Sequence, residues 1–135
     1  MKHALPCLAL LALALPAWPQ TPSRLDEGEA ALGQVIYTRY CAACHGREGK
    51  GDGPVAPGLV RKPIDLTALA AKNGGRFPFD KTARAIDGRE TPRAHGLPDM
   101  PVWGEVFGKT TGTEAPSVAD AVKRITHYVW SIQVK

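Results

Sequence analysis

Cysteine is scarce in this chain, methionine is scarcer, and no apolar run is long enough to cross a membrane. The 135 residues contain three cysteines and two methionines. Met1, Lys2 and His3 form a short basic opening, followed from Ala4 to Leu15 by a twelve-residue apolar run with six leucines. A bilayer span takes ~20 apolar residues, so this run reads as the core of an export leader rather than an anchor. Pro16, Pro19, Ala14 and Ala17 mark a cleavage region before Thr21. Residues 1–20 are therefore expected to be a signal peptide, with residues 21–135 forming one domain of roughly 115 residues in the periplasm. Cys7 precedes most of the apolar run, whereas a lipid-bearing cysteine follows one. Past the leader only Cys41, Cys44 and Met100 remain, which leaves no disulfide framework.

Charge is equally uninformative of a polyanion partner. The formal net charge is +4 from 17 basic and 13 acidic residues, and the basic ones are scattered. Nothing resembles the tracts that bind nucleic acid. Internal repeats are absent past the leader, and strand-like alternation is unconvincing.

What is present is Cys41-Ala42-Ala43-Cys44-His45. Two thiols at this spacing can add across the two vinyl groups of a haem, and the histidine after the second is placed to ligate the iron, so the motif reads as c-type haem attachment. A redox dithiol or half of a zinc site is the alternative. Zinc takes four protein ligands or three plus water, and only His95 and His127 remain as further candidates, without a second cysteine pair. A thioredoxin-like dithiol needs a βαβ setting that the sequence does not offer.

Asp26 followed by Glu29 resembles a capping box, and Gly33, Ile36, Tyr37 and Tyr40 fall at i, i+3, i+4 and i+7, predicting a helix over residues 27–40. Gly33 on this stripe suggests close packing, with Ile125 or Tyr128 of the last helix in its notch. Residues 46–63 are loop, rich in Gly and Pro, and long enough to need a reason such as wrapping a flat cofactor. Pro54 or Pro57 is expected to offer its carbonyl to the free ring N–H of His45. Asp65 is a cap for a short helix over residues 66–72, and a further helix runs from about Pro78 or Phe79 to Ile86, ended by Gly88. Arg89 and Arg93 are surface residues by default and candidate partners of haem carboxylates.

Residues 93–104 read as a second irregular stretch, in which Pro98 and Pro101 stiffen the backbone around Met100. A thioether held this way suits a sixth iron ligand, with core packing as the plain alternative and His95 as the rival ligand. Trp103 is expected against the haem edge or the loop. Residues 104–110 imitate a phosphate-binding loop, but Trp103 stands where that motif requires glycine, and no strand precedes it. Ser117 and Asp120 then start the strongest helical pattern, with Val118, Ala121, Val122, Ile125, Tyr128, Val129 and Ile132 on one stripe. His127 falls off that stripe and is expected to be exposed; Lys123 and Trp130 are candidates for a docking face.

Gly33 and Tyr37 ahead of Cys-Ala-Ala-Cys-His-Gly, then Gly51-Asp52-Gly53-Pro54, Pro63-Ile64-Asp65-Leu66-Thr67 and Asp99-Met100-Pro101-Val102-Trp103-Gly104 before an aromatic last helix resemble a bacterial class I monohaem cytochrome c. The resemblance runs from Glu27 to Ile132. It implies a small all-α fold, three to five helices around a covalent haem, with the first and last helices crossing. It further implies thioether bonds from Cys41 and Cys44, His45 as proximal ligand and Met100 as distal ligand. With both axial positions filled, the iron would cycle by one electron without binding substrate. The expectation is a non-enzymatic periplasmic carrier, or an electron-transfer subunit, exchanging electrons with a dehydrogenase, a quinol oxidase or a terminal oxidase or reductase. The contrasting expectation is a haem enzyme or gas sensor with a displaceable distal ligand.

Overall fold

The computed structural model describes residues 21–89, 101–110 and 116–134. Among them lie five α-helices, α1 (Glu27–Tyr40), α2 (Ala42–His45), α3 (Phe79–Asp87), α4 (Trp103–Gly108) and α5 (Val118–Ser131), and no strand. None is long and apolar enough to cross a membrane.

The two long helices begin where their side chains can satisfy orphan backbone donors. The Asp26 carboxylate accepts from Glu29 N at 3.0 Å, and the Ser117 hydroxyl accepts from Asp120 N at 3.1 Å. Asp120 returns no bond to the cap backbone; its carboxylate accepts from the Ser117 hydroxyl at 2.6 Å.

α1 and α5 cross at Gly33. A β-carbon there would run into the Arg124 carbonyl and sit 3.0 Å from Ile125 N, so backbone meets backbone. The occupant of the notch is thus the main chain at Arg124 and Ile125, not the side chain of Ile125 or Tyr128. Tyr128 instead packs its ring on Tyr37, centroids 4.8 Å apart. Glu29 receives Lys123 Nζ at 3.0 Å and Arg124 Nε at 3.2 Å across the same crossing.

His127 is 1% exposed, contrary to its off-stripe position. α5 packs against α3 as well as α1, so its buried arc is wider than one stripe and takes in every residue from Ile125 to Val129. The His127 ring meets Phe79 at 4.9 Å, and its Nδ1 accepts from Asp26 N at 3.2 Å. Trp130 is half-buried, its indole stacked on Phe77 at 5.4 Å, and Lys123 is exposed with its ammonium paired with Glu29.

Residues 66–73 form two short 3-10 turns, Leu66–Ala68 and Ala71–Asn73, instead of one helix. Asp65 caps the first as expected, accepting from Thr67 N at 2.9 Å. The C-terminal end of the chain fastens this segment: Gln133 Nε2 donates to Leu66 O at 2.7 Å, Gln133 Oε1 accepts from Ala70 N at 2.8 Å, and Val134 N donates to Thr67 O at 3.0 Å. α3 ends at Gly88, whose φ of 73° gives the left-handed turn expected of a glycine stop.

Candidate haem site

α1 runs almost directly into α2, so Cys41, Cys44 and His45 sit on one turn of helix under the α1–α5 crossing. So short a helix leaves its terminal carbonyls without internal partners. The glycine-rich loop supplies them. Gly51 N donates to His45 O at 2.8 Å, Gly53 N to Cys44 O at 3.1 Å and Val55 N to Ala43 O at 3.0 Å. Gly53 passes so close that a β-carbon would lie 2.7 Å from Ala42 O, which explains a glycine there. Tyr37 adds a buried bond from its hydroxyl to Gly46 O at 2.7 Å, and Tyr128 another to Arg47 O at 3.3 Å.

A cavity of about 290 Å³ opens beside this turn. Cys41, His45 and Tyr37 form one wall; Leu66, Leu69, Ile86, Ile125 and Val129 supply apolar surface; Lys72, Asn73 and Lys81 bring polar groups to the lining. Trp103 closes another side, where α4 holds it in an aromatic cluster with Tyr40 at 5.7 Å and Phe107 at 5.5 Å. The sequence pattern gives no hint of α4. Glycines at 104 and 108 obscure its pattern, and in the helix Trp103 and Phe107 fall at i and i+4 on the face that packs on Tyr40.

His45 and Trp103 are both buried, and neither His45 Nδ1 nor Trp103 Nε1 has a hydrogen-bond partner. Burial pushes the His45 pKa down, opposed by the backbone of Ile64, which leans toward the ring without completing a bond at Nδ1. The bond expected from His45 Nδ1 to Pro54 or Pro57 is not formed. Both cysteines are unbridged. The Cys41 thiol is pushed up to about 12, first by burial and then by Cys44. A reactive dithiol works through a thiolate, and burial here opposes that form. Among the described residues, no three or more His, Cys, Asp or Glu side chains gather where a metal could be held by them alone.

A neutral buried thiol beside an unpartnered imidazole, on a largely apolar cavity, suits a flat apolar macrocycle that is bonded through sulfur and ligated through nitrogen. Met100, His95 and Arg93 lie outside the described residues, and so does the leader. Arg89, the other candidate for a carboxylate partner, forks onto Asp87, with Nε donating at 2.6 Å and Nη2 at 2.9 Å.

An all-helical domain that crosses its first and last helices over a Cys-x-x-Cys-His turn defines the class of covalent-haem electron-transfer proteins. Residues 30–133 match the family described as Cytochrome c, and the chain belongs to it, as a class I monohaem member with a covalently bound c-type haem. It is similar to cytochrome c-554(547) of Halothiobacillus neapolitanus, 41% identical over 77 residues that cover 54% of this chain and 85% of that protein. No solved structure matches the chain at a significant level.

Proposed function

We propose that the chain is a periplasmic one-electron carrier, or the electron-transfer subunit of a respiratory or dehydrogenase chain. In this reading Cys41 and Cys44 hold the haem by thioether bonds, and His45 and Met100 are the axial ligands. The observation that carries it is the buried His45 imidazole, unpartnered at Nδ1, on the same cavity wall as Cys41. When bound, the haem supplies an Fe(III)/Fe(II) couple, and thioether ligation favours its reduced form.

The chain's own residues set the conditions for that couple. The loop bonds to the carbonyls of residues 43–45 fix the turn that carries both thiols and the imidazole, so little rearrangement accompanies a change of iron charge. Leu66, Leu69, Ile86 and Val129 keep water off the macrocycle. Lys72, Lys81 and Asn73 would meet its two carboxylates. Residues 1–20 would direct export and be removed. The donor and acceptor are then proteins such as a dehydrogenase, a quinol oxidase or a terminal oxidase or reductase, docking by charged faces whose exchange rates fall with salt.

The test is the optical spectrum of the purified ferric holoprotein. An iron–thioether bond gives a weak red charge-transfer band, which should be present in the wild type and absent from Met100→Ala. Its absence from the wild type, together with ready carbon monoxide binding by the reduced protein, would overturn the carrier reading in favour of a haem enzyme or gas sensor.

A further inference from the structure

Gln133 follows the end of α5, half-buried, and its amide bonds to main chain in two places at once. Nε2 donates to Leu66 O at 2.7 Å and to Val129 O at 2.6 Å, while Oε1 accepts from Ala70 N at 2.8 Å. A carboxylate offers no donor, and lysine or arginine no acceptor, so this set of partners calls for a primary amide. Leu66 and Ala70 bracket a segment broken into 3-10 turns, which leaves backbone groups that a continuous helix would have paired. The residues on either side of Gln133 reinforce the same junction. Val134 N donates to Thr67 O at 3.0 Å, and Ile132 Cδ1 stands 2.6 Å from the place a β-carbon on Gly49 would take. Gly49 O in turn accepts from Leu66 N at 2.7 Å. The segment held this way is a wall of the cavity: Leu66, Leu69 and Val129 line it together with Cys41 and His45.

We propose that Gln133 is a positioning residue for the haem, whose amide straps the 66–70 segment to the end of α5 and so keeps Leu66 and Leu69 packed against the macrocycle. Gln133 does not itself line the cavity, so it acts through the wall it holds. The consequence is electrochemical. A ferric haem carries one more positive charge than a ferrous one, so dry apolar contact favours the reduced form and water let in beside the ring favours the oxidised form. The strap therefore holds the potential up. The inference rests on the reading that this cavity seats the haem, and not on which residue closes the iron's other face.

Hydrogen exchange and redox titration of the holoprotein test it together. Gln133→Leu keeps the bulk of the side chain but removes its donors and acceptor, so the Ala70 amide hydrogen should exchange about fivefold faster or more. The midpoint potential should fall, so that at the wild-type midpoint the ferrous-to-ferric ratio is about threefold smaller. Leu69→Ala opens the wall directly and should lower the potential in the same direction, and the double variant should fall short of the sum because both act through one wall. Glu29→Gln loosens the α1–α5 crossing and should leave the potential at the wild-type value, which separates positioning from lost stability. Unchanged exchange at Ala70 in Gln133→Leu overturns the strap. Wild-type potential in Gln133→Leu beside a lowered one in Leu69→Ala overturns its role toward the haem while leaving the haem in this cavity. Wild-type potential in both variants overturns that seat as well. A fall in Glu29→Gln as large as in Gln133→Leu overturns positioning in favour of general loosening.

Discussion

The α1–α5 side of the molecule and the α3–α4 side are built by different means. On the first, two helices of 14 residues meet backbone to backbone at Gly33, with both N-caps formed and Glu29 bridging to two cations. On the second, helices of nine and six residues approach each other through an exposed ion pair and through aromatic rings that reach across to Tyr40. The first side carries the turn with both thiols and His45, where a fixed geometry is required. The second flanks segment 90–100, which lies outside the described residues. The division teaches that the cysteine–histidine turn rests on a backbone-to-backbone crossing and on loop hydrogen bonds, whereas α4 rests on aromatic side-chain contacts.

The largest effect should follow from breaking the first side at its centre. Gly33→Ala forces a β-carbon against the Arg124 carbonyl, which cannot move without parting the helices; a loss of about 3 kcal/mol is expected from urea unfolding of the holoprotein. A loss below about 0.5 kcal/mol would mean that the crossing tolerates separation. Tyr37→Phe removes the buried bond to Gly46 O and should cost about 1 kcal/mol, with the Tyr37–Tyr128 ring contact preserved. Glu29→Gln weakens two partly exposed pairs, and a loss of about 0.5 kcal/mol that disappears in high salt is expected.

The mildest test is read in pH. Burial lowers the His127 pKa, a shift that Asp26 and Glu29 oppose and Lys123 reinforces. The unfolded chain, with an imidazole pKa near ~6.5, takes up its proton first as pH falls. The His127 contribution to stability is therefore complete above that value and declines as pH drops below it toward the folded pKa. His127→Asn, which keeps a side-chain acceptor for Asp26 N, should flatten the pH dependence of stability in this window; an unchanged slope would show that His127 does not titrate there.

Much of the first side is legible in the sequence because its rules are local. Asp26 and Ser117 announce their helices, Gly33 announces a close approach, and Cys41 to His45 announce the chemistry. The second side depends on contacts between distant residues. Nothing near Trp103 predicts a helix, since it forms by packing two aromatics on Tyr40, 63 and 67 positions earlier in the chain. The close approach of Gly104 to the Asp87–Arg89 pair likewise joins residues that are distant in sequence. His127 falls off the single apolar stripe of α5, whereas the uncharged run Ile125-Thr126-His127-Tyr128-Val129 carries the sign of a wider buried face. The loop turns back at Gly51 and brings residues 63–66 beside α2, as the bond from Leu66 N to Gly49 O at 2.7 Å shows, a return that residue spacing alone does not give.

The central claim is that His45 and Met100 together close the iron's two faces, and proton NMR of the reduced holoprotein tests it most directly. Met100 is the only methionine after residue 20, so one methyl resonance answers the question without assignment by mutagenesis. A methyl group bonded to low-spin Fe(II) through its sulfur lies over the macrocycle, where the ring current shifts it far upfield. The account predicts a single three-proton resonance well upfield of every other signal; a methionine methyl at its ordinary position would contradict it.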